Sequence, residues 1–86
     1  MTHSSEVFFA ARRHGWSEEL GHRSVYGDQF VTYRKGDQKI NVQGGREGRI
    51  VWCTYLRGGH LIAHLTCGDS DKAGRIVFWM SSSTPT

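Results

Sequence analysis

Closely spaced turn signals from residue 29 onward constrain the fold of this chain more than any other feature of its sequence. Glycines interrupt short segments in which apolar and polar side chains tend to alternate with a period of two. Alternating segments joined by short glycine turns are typical of an antiparallel meander. The sequence therefore predicts strands at residues 29–35, 39–43, 49–57, 60–67 and 75–80.

The N-terminal segment, residues 4–14, has the pattern of an amphipathic helix. Val7, Ala10 and Ala11 follow the i, i+3, i+4 spacing of one helix face, and Gly15 is placed to end the helix in a left-handed conformation. A helix of this length is too short to be stable alone in water, so it must pack on the strands. We predict an α+β fold, one N-terminal helix packed on a four- to five-stranded antiparallel sheet (a meander).

The chain has 86 residues, which is the length of one domain. We expect that domain to span residues 1–80, followed by a flexible C-terminal tail at 81–86, where SSSTPT has nothing to bury. Trp16 is expected to pin the exit of the helix to the core. Residues 17–28 are predicted to form either a loop or a short edge strand around 23–26.

The Gly58-Gly59 pair predicts a two-residue hairpin loop, because both positions of such a loop need positive φ. With an unbroken ladder, one face is almost wholly apolar and is assigned to the core: Leu56 with Leu61, Thr54 with Ala63, Trp52 with Leu65 and Ile50 with Cys67. The opposite face is mixed, and it carries the candidate interface residues Val51, Tyr55, Ile62 and His64. A surface this apolar is covered either by a second subunit or by residues 17–28 of the same chain.

The first hairpin is predicted with Gly36-Asp37 as its loop. Five cross-strand pairs follow from that loop: Tyr33 with Ile40, Val31 with Val42, Arg34 with Lys39, Thr32 with Asn41 and Phe30 with Gln43. The first two pairs add a second piece of core. The other three form a polar and basic face.

Five cations on and near this hairpin form the best candidate for binding nucleic acid: Arg34, Lys35, Lys39, Arg46 and Arg49. Such side chains bind phosphates, and Phe30 or Tyr26 would add stacking. The alternative interpretation is a solvated sheet face whose lysines guard an edge against aggregation.

Cys53 and His64 face each other in the predicted register, with His60 on the same face. A thiol beside an imidazole is a reactive pair or a part of a zinc site. Zinc needs three or four ligands, and the sequence has no CxxC motif. We therefore predict no catalytic residues, no metal and no cofactor. Cys67 points to the other face in this register, so a disulfide with Cys53 is not expected.

The net charge bears on the kind of partner, and the lack of a membrane-spanning run, a secretory signal and a disulfide framework bears on the location of the protein. The net charge is +3, which mildly favours an anionic partner. No apolar run approaches the roughly 18–20 residues that cross a bilayer, and the N-terminus lacks the pattern of a secretory signal. Two cysteines do not make a disulfide framework. We expect a cytoplasmic protein that does not bind membranes.

The opening half of the chain, with AARRHGW at 10–16 and GDQFVTYRKGDQKINV at 27–42, resembles the start of HicA-like small toxins. That resemblance implies a helix, a Gly-Trp and then strands of a double-stranded-RNA-binding-like sheet. The family's Gly-Ser-His, which carries its catalytic histidine, has no counterpart, because Gly27-Asp28-Gln29 contains neither Ser nor His. The resemblance therefore does not imply RNase activity for this chain.

In its size, its Gly, Arg and Trp content and its Ser/Thr tail, the chain also resembles small orphan proteins of actinobacteria and their phages. Such proteins often bind a host protein and redirect it. Three functional hypotheses result. The first is a small non-enzymatic interaction protein, a homodimer that also modulates an unidentified host or partner protein. The second is a small basic nucleic-acid-binding protein. The third is a toxin-like RNase or metal-assisted enzyme centred on Cys53 and His64.

Overall fold

The computed structural model describes residues 3–23, 29–45, 49–66 and 68–82. In chain order its elements are α1 (His3–Arg13), β1 (Ser17–Arg23), β2 (Gln29–Lys35), β3 (Gln38–Gly44), β4 (Ile50–Arg57), β5 (His60–Leu65) and α2 (Lys72–Ser82). The strands form one antiparallel sheet in the order β1-β2-β3-β4-β5. The predicted α+β fold, an N-terminal helix packed on an antiparallel meander, is confirmed, and a C-terminal helix is added to it.

Helix α1 packs with the face that its sequence predicts. Val7, Ala10 and Ala11 are buried. The helix ends in a Schellman motif, in which the backbone N–H of Trp16 donates to the carbonyl oxygen of Ala11 at 2.8 Å and Gly15 takes a φ of +79°. Trp16 is itself buried, so the prediction that it pins the helix exit to the core is confirmed.

The register of β2 and β3 is the one that the sequence predicts. All five expected pairs occur: Tyr33 with Ile40, Val31 with Val42, Arg34 with Lys39, Thr32 with Asn41 and Phe30 with Gln43. The two-residue turn at Gly36-Asp37 sets which residues of β2 and β3 are opposite each other. A slip of one residue would also move the apolar pairs Tyr33–Ile40 and Val31–Val42 out of the core.

The hairpin of β4 and β5 begins as predicted and then changes register. The Gly58-Gly59 pair forms its loop, with φ of 57° and 83°. The first two cross-strand pairs after the loop are those predicted, but the third joins Tyr55 to Ala63. Ile62 is the extra residue, so β5 contains a β-bulge at this position.

The bulge and the position of the helices overturn the predicted core face of β4. Trp52, Thr54 and Leu56, which were assigned to the core, lie on the face away from the helices. Cys53 and Tyr55 are buried in their place. A one-residue slip exchanges the two faces of a strand relative to its neighbour. The bulge therefore lets β4 turn its other face inward while Ala63 and Leu65 of β5 keep the inward orientation that the sequence predicts. Leu61, also predicted in the core, lies before the bulge and is 60% exposed.

Residues 75–80, predicted as a strand, belong to helix α2. Ala73, Ile76 and Met80 are buried, and their spacing is that of one helix face. The side chain of Asp71 caps the helix, because its Oδ1 accepts a hydrogen bond at 3.2 Å from the backbone N–H three residues later. A five-residue apolar run does not by itself distinguish a strand from a buried helix, and these neighbouring signals decide in favour of the helix.

The fifth strand comes instead from residues 17–28, for which the sequence predicts either a loop or a short edge strand. β1 is an edge strand that pairs with β2, and the ladder shifts register between Leu20 and Arg23. It begins at Ser17, well before the edge strand expected around 23–26. Residues 24–28, which include Tyr26, lie outside the described residues.

Both helices pack on the same face of the sheet. The core combines α1, α2 and the sheet face that carries Tyr33, Ile40 and Tyr55. The indole Nε1 of Trp16 donates to the carbonyl oxygen of Met80 at 3.2 Å, which joins the exit of α1 to the end of α2. The described part of the chain therefore forms two layers, a sheet and the pair of helices that covers one of its faces.

No helix in the described part of the chain is long and apolar enough to cross a membrane. Helix α2 continues through Ser82 and so includes the first two residues of the predicted tail. Residues 83–86 lie outside the described residues.

Candidate macromolecule-binding face

The sheet face turned away from the helices is uncovered in the described part of the chain. We call it the open face, and its side chains are Ser17, Glu19, Phe30, Thr32, Arg34, Lys39, Asn41, Gln43, Trp52, Thr54, Leu56, Leu61 and His64. Each of these is half-buried or exposed. Five strands at their normal spacing make this face roughly 19 Å wide.

A ladder of polar side chains crosses the middle of the open face. Thr32 Oγ1 donates to Asn41 Oδ1 at 3.0 Å, and Asn41 Nδ2 donates to Thr54 Oγ1 at 3.2 Å. His64 is the next residue across the sheet, opposite Thr54. Because these hydrogen bonds join neighbouring strands, the ladder holds its side chains in fixed positions and still presents polar atoms to a ligand.

Aromatic side chains lie to one side of the polar ladder. Phe30, Gln43 and Trp52 form the next row across β2, β3 and β4. The ring of Trp52 packs edge-on against His64, with centroids 6.0 Å apart and an interplanar angle of 73°. Both Phe30 and Trp52 are only half-buried, so part of each ring is available for stacking.

Cationic side chains lie on the other side of the ladder. Arg34 and Lys39 are directly opposite each other on β2 and β3, as predicted. Arg34 forms an exposed ion pair with Glu19 of β1, which offsets part of the repulsion between the two cations. The row itself therefore carries two cations, and the carboxylate of Glu19 reaches Arg34 from the row of the polar ladder, where Glu19 lies opposite Thr32.

The remaining members of the predicted basic cluster are not part of this row. Lys35 lies on the helix side, where its Nζ donates at 2.7 Å to the carbonyl oxygen of His14 at the end of α1. Arg49 is exposed just before β4. Arg46 lies outside the described residues. The structure thus brings Arg34 and Lys39 together and gives Lys35 a different role, that of capping a helix C-terminus.

The four predicted interface residues do not share one surface. Tyr55 is buried, and its hydroxyl donates to Gln38 Oε1 at 2.6 Å. Val51 is half-buried at a register shift of β4, where it is the extra residue of a bulge. Ile62 and His64 are exposed on β5. The assignment of Tyr55 to an outer face is therefore corrected, because the register that placed it there does not occur.

Cys53 and His64 lie on opposite faces of the sheet, so the predicted juxtaposition does not occur. Cys53 is opposite Leu65 and fully buried. Burial raises the pKa of its thiol to about 11, which keeps it protonated near neutral pH. Within the described residues, no three His, Cys, Asp or Glu side chains are grouped so as to hold a metal ion. Cys67 lies outside the described residues.

Sequence reasoning missed four residues of the open face because it assigned them to the core: Trp52, Thr54, Leu56 and Leu61. Residues 50–57 carry apolar side chains at both strand parities, so alternation alone cannot select the inner face. The deciding signal lies outside the strand. The ring of Trp79 on the capped helix α2 stacks on the ring of Tyr55, with centroids 5.2 Å apart. Predicting that helix from the sequence would have identified the Tyr55 face of β4 as the inner one.

No protein-family model, curated protein or solved structure matches this chain.

Proposed function

We propose that this chain is a small non-enzymatic interaction protein that binds a partner macromolecule through the open face. The observation that carries the proposal is the packing of both helices on one side of the sheet, which leaves Trp52, Leu56 and Leu61 uncovered in the described residues. Large apolar side chains grouped on an uncovered face favour the docking of another molecule.

The edges of the sheet support docking on the face rather than at an edge. β1 and β5 are the two edge strands, and each has an irregular register, between Leu20 and Arg23 in β1 and at Ile62 in β5. Bulges twist an edge and interrupt its row of hydrogen-bonding groups, so they hinder the addition of another strand.

The geometry around the cysteine supports a non-enzymatic role. The enzyme hypothesis depended on Cys53 and His64 acting as a pair, and the two side chains lie on opposite faces of the sheet. A nucleophile and its base must be within hydrogen-bonding reach of each other. The open face offers fixed polar, aromatic and cationic groups, which suit binding.

Self-association at the β5 margin of the sheet is part of the proposal. Leu61 and Ile62 are neighbours on this edge strand and are 60% and 57% exposed. A second copy that covers them would remove two large apolar side chains from water, each worth about 1.5–3 kcal/mol if fully buried. Such a homodimer would cover the open face only at its Leu61 end, so the part of that face around Trp52 would stay free for a further partner that the protein modulates.

Size-exclusion chromatography with light scattering tests the homodimer. The wild-type chain is expected at twice the mass of one chain, and Ile62→Asp is expected to be a monomer, because a carboxylate would be buried without a partner. Leu20→Asp is the matched control, since Leu20 is 72% exposed on the opposite edge strand, and it is expected to remain a dimer. A monomeric wild-type chain, or a dimer that survives Ile62→Asp, would reject self-association at this margin.

A further inference from the structure

We propose that the occupant of the open face is single-stranded nucleic acid, an inference that rests on the proposed function and names its partner. The aromatic row would stack bases, and the cationic row would contact phosphates. The polar ladder between the two rows would offer hydrogen bonds to base edges and sugars. The aromatic row and the cationic row are the two elements that sequence-tolerant single-strand binding combines.

The distribution of charge favours a polyanion on this face. Among the described residues, Glu19 is the carboxylate of the open face, and it is already paired with Arg34. The other described carboxylates lie elsewhere: on α1, on the helix side of β1, in the β2–β3 turn and in the segment that precedes α2. Lys39 has no carboxylate opposite it on either neighbouring strand, since it pairs with Arg34 and with Leu56. The net charge of the chain is +3, and the open face carries little negative charge that would repel a bound nucleic acid.

The aromatic side chains favour unpaired bases. Trp52 on β4 and Phe30 on β2 are two strands apart, roughly 10 Å at normal strand spacing, so each ring can take a separate base. Stacking on a protein ring needs a base that is not already stacked in a duplex. The Trp52 ring is also held in place by its edge contact with His64, which reduces the entropy that it loses on binding.

The width of the sheet argues against a double helix on this face. The major groove of B-DNA, about 12 Å wide, admits a helix or a two-stranded ribbon. The open face is a broad surface of five strands, and its central rows lie away from either edge. A single strand can lie across such a surface and present its bases to it.

Fluorescence anisotropy with labelled oligo-dT, oligo-U and a hairpin DNA duplex tests the inference at low and at physiological salt. The two single strands are expected to bind more tightly than the duplex. Trp52→Ala is expected to weaken binding about tenfold, the order of one stacked base. Arg34→Ala/Lys39→Ala is expected to flatten the dependence of log K on log salt by about 1.4, since each lost phosphate contact contributes about 0.7 for a single strand.

A matched control variant also loses two positive charges, but at positions away from the open face. Arg13→Ala/Arg75→Ala removes two exposed cations from the helices and is expected to leave the affinity almost unchanged. Circular dichroism establishes that each variant is folded. The Arg34→Ala/Lys39→Ala variant keeps the test valid if Trp52→Ala does not fold, because it removes no core side chain.

The possible results separate the two proposals. No binding of either single strand at low salt, tighter binding of the duplex, or equal effects of the open-face and control variants would each overturn the inference. If no oligonucleotide binds and Ile62→Asp still dissociates a dimer, the inference that nucleic acid occupies the open face is wrong. The proposal of a self-associating interaction protein is then retained. If neither a nucleic acid nor a second copy binds, both proposals fail.

Discussion

At the scale of single residues, burial on the helix side of the sheet raises the pKa of two titratable side chains among the described residues, Tyr33 and Cys53. Burial, followed by the charge of Glu18 and its hydrogen bond, raises the pKa of Tyr33, whose hydroxyl donates to Glu18 Oε1 at 3.0 Å. Burial also raises the pKa of Cys53. Both groups are therefore neutral in the folded protein over the physiological range, which is consistent with a role in packing.

The raised pKa of Cys53 makes a prediction about its reactivity. In a Cys67→Ser background, a thiol reagent such as DTNB should not react with the folded protein at pH 8 and should react rapidly in urea. The physical reason is that only the thiolate attacks, and it is both buried and disfavoured until pH nears 11.

The raised pKa of Cys53 also predicts how the free energy of unfolding depends on pH. Because the folded pKa is higher than the ordinary value of 9.0, the protonated thiol contributes its full stabilisation below pH 9 and loses it as the pH rises towards 11. Urea midpoints of the parent and of Cys53→Ala across this pH range measure the difference. Fast labelling of the folded parent at pH 8 would contradict the burial of Cys53.

At the scale of elements, helix α2 depends on its N-terminal cap. Asp71 has a positive φ of 51° and accepts a hydrogen bond from the backbone N–H of Gly74. A Cβ added at Gly74 would collide with the Asp71 carboxylate. The glycine therefore leaves space for the cap, although glycine within a helix is otherwise unfavourable.

Three substitutions test this cap. Asp71→Ala should lower the free energy of unfolding by about 1 kcal/mol, since the N–H loses its acceptor, whereas Asp71→Asn should retain most of it. Gly74→Ala should fail to give the stabilisation of about 1 kcal/mol that alanine normally provides in a helix, because it displaces the cap. Urea denaturation followed by circular dichroism measures all three. A stabilised Gly74→Ala variant would show that the cap contributes nothing.

The elements also differ in how far their sequences predict them. The β2–β3 hairpin is predictable pair by pair, because Gly36-Asp37 sets the loop and its apolar residues other than Phe30 occupy one parity. The β4–β5 hairpin is predictable only as far as its loop and first pairs. Beyond them, a bulge at Ile62 changes the register, and the apolar residues at both parities of β4 conceal the change.

At the scale of the whole molecule, the two helices form one layer over one face of the sheet. Core residues from α1, α2 and the strands belong to a single cluster, and Trp16 is hydrogen-bonded to Met80 across it. Since a domain of this size has little core to spare, we expect the layers to fold cooperatively.

Removal of α2 tests this cooperativity. A chain that ends at residue 70 loses Ala73, Ile76 and Met80, which are all buried, and it is expected to show no cooperative thermal transition and poorly dispersed NMR signals. A chain that ends at residue 82 keeps α2 and is expected to melt like the full chain. Retention of the full melting midpoint by the shorter chain would show that α1 and the sheet fold alone.

The features that depend on neighbouring residues follow from the amino-acid sequence alone. These are α1 with its glycine stop, the two hairpin loops, the β2–β3 register and the opposition of Arg34 and Lys39. Local propensity and turn geometry act over a few residues, so they can be read directly from the chain. The inner face of β4, in contrast, is set by tertiary packing, because it depends on where α2 packs and on a bulge in the neighbouring strand. The same choice moved Tyr55 into the core and left Trp52 on the open face, since the free energy of burying a side chain depends on what covers it.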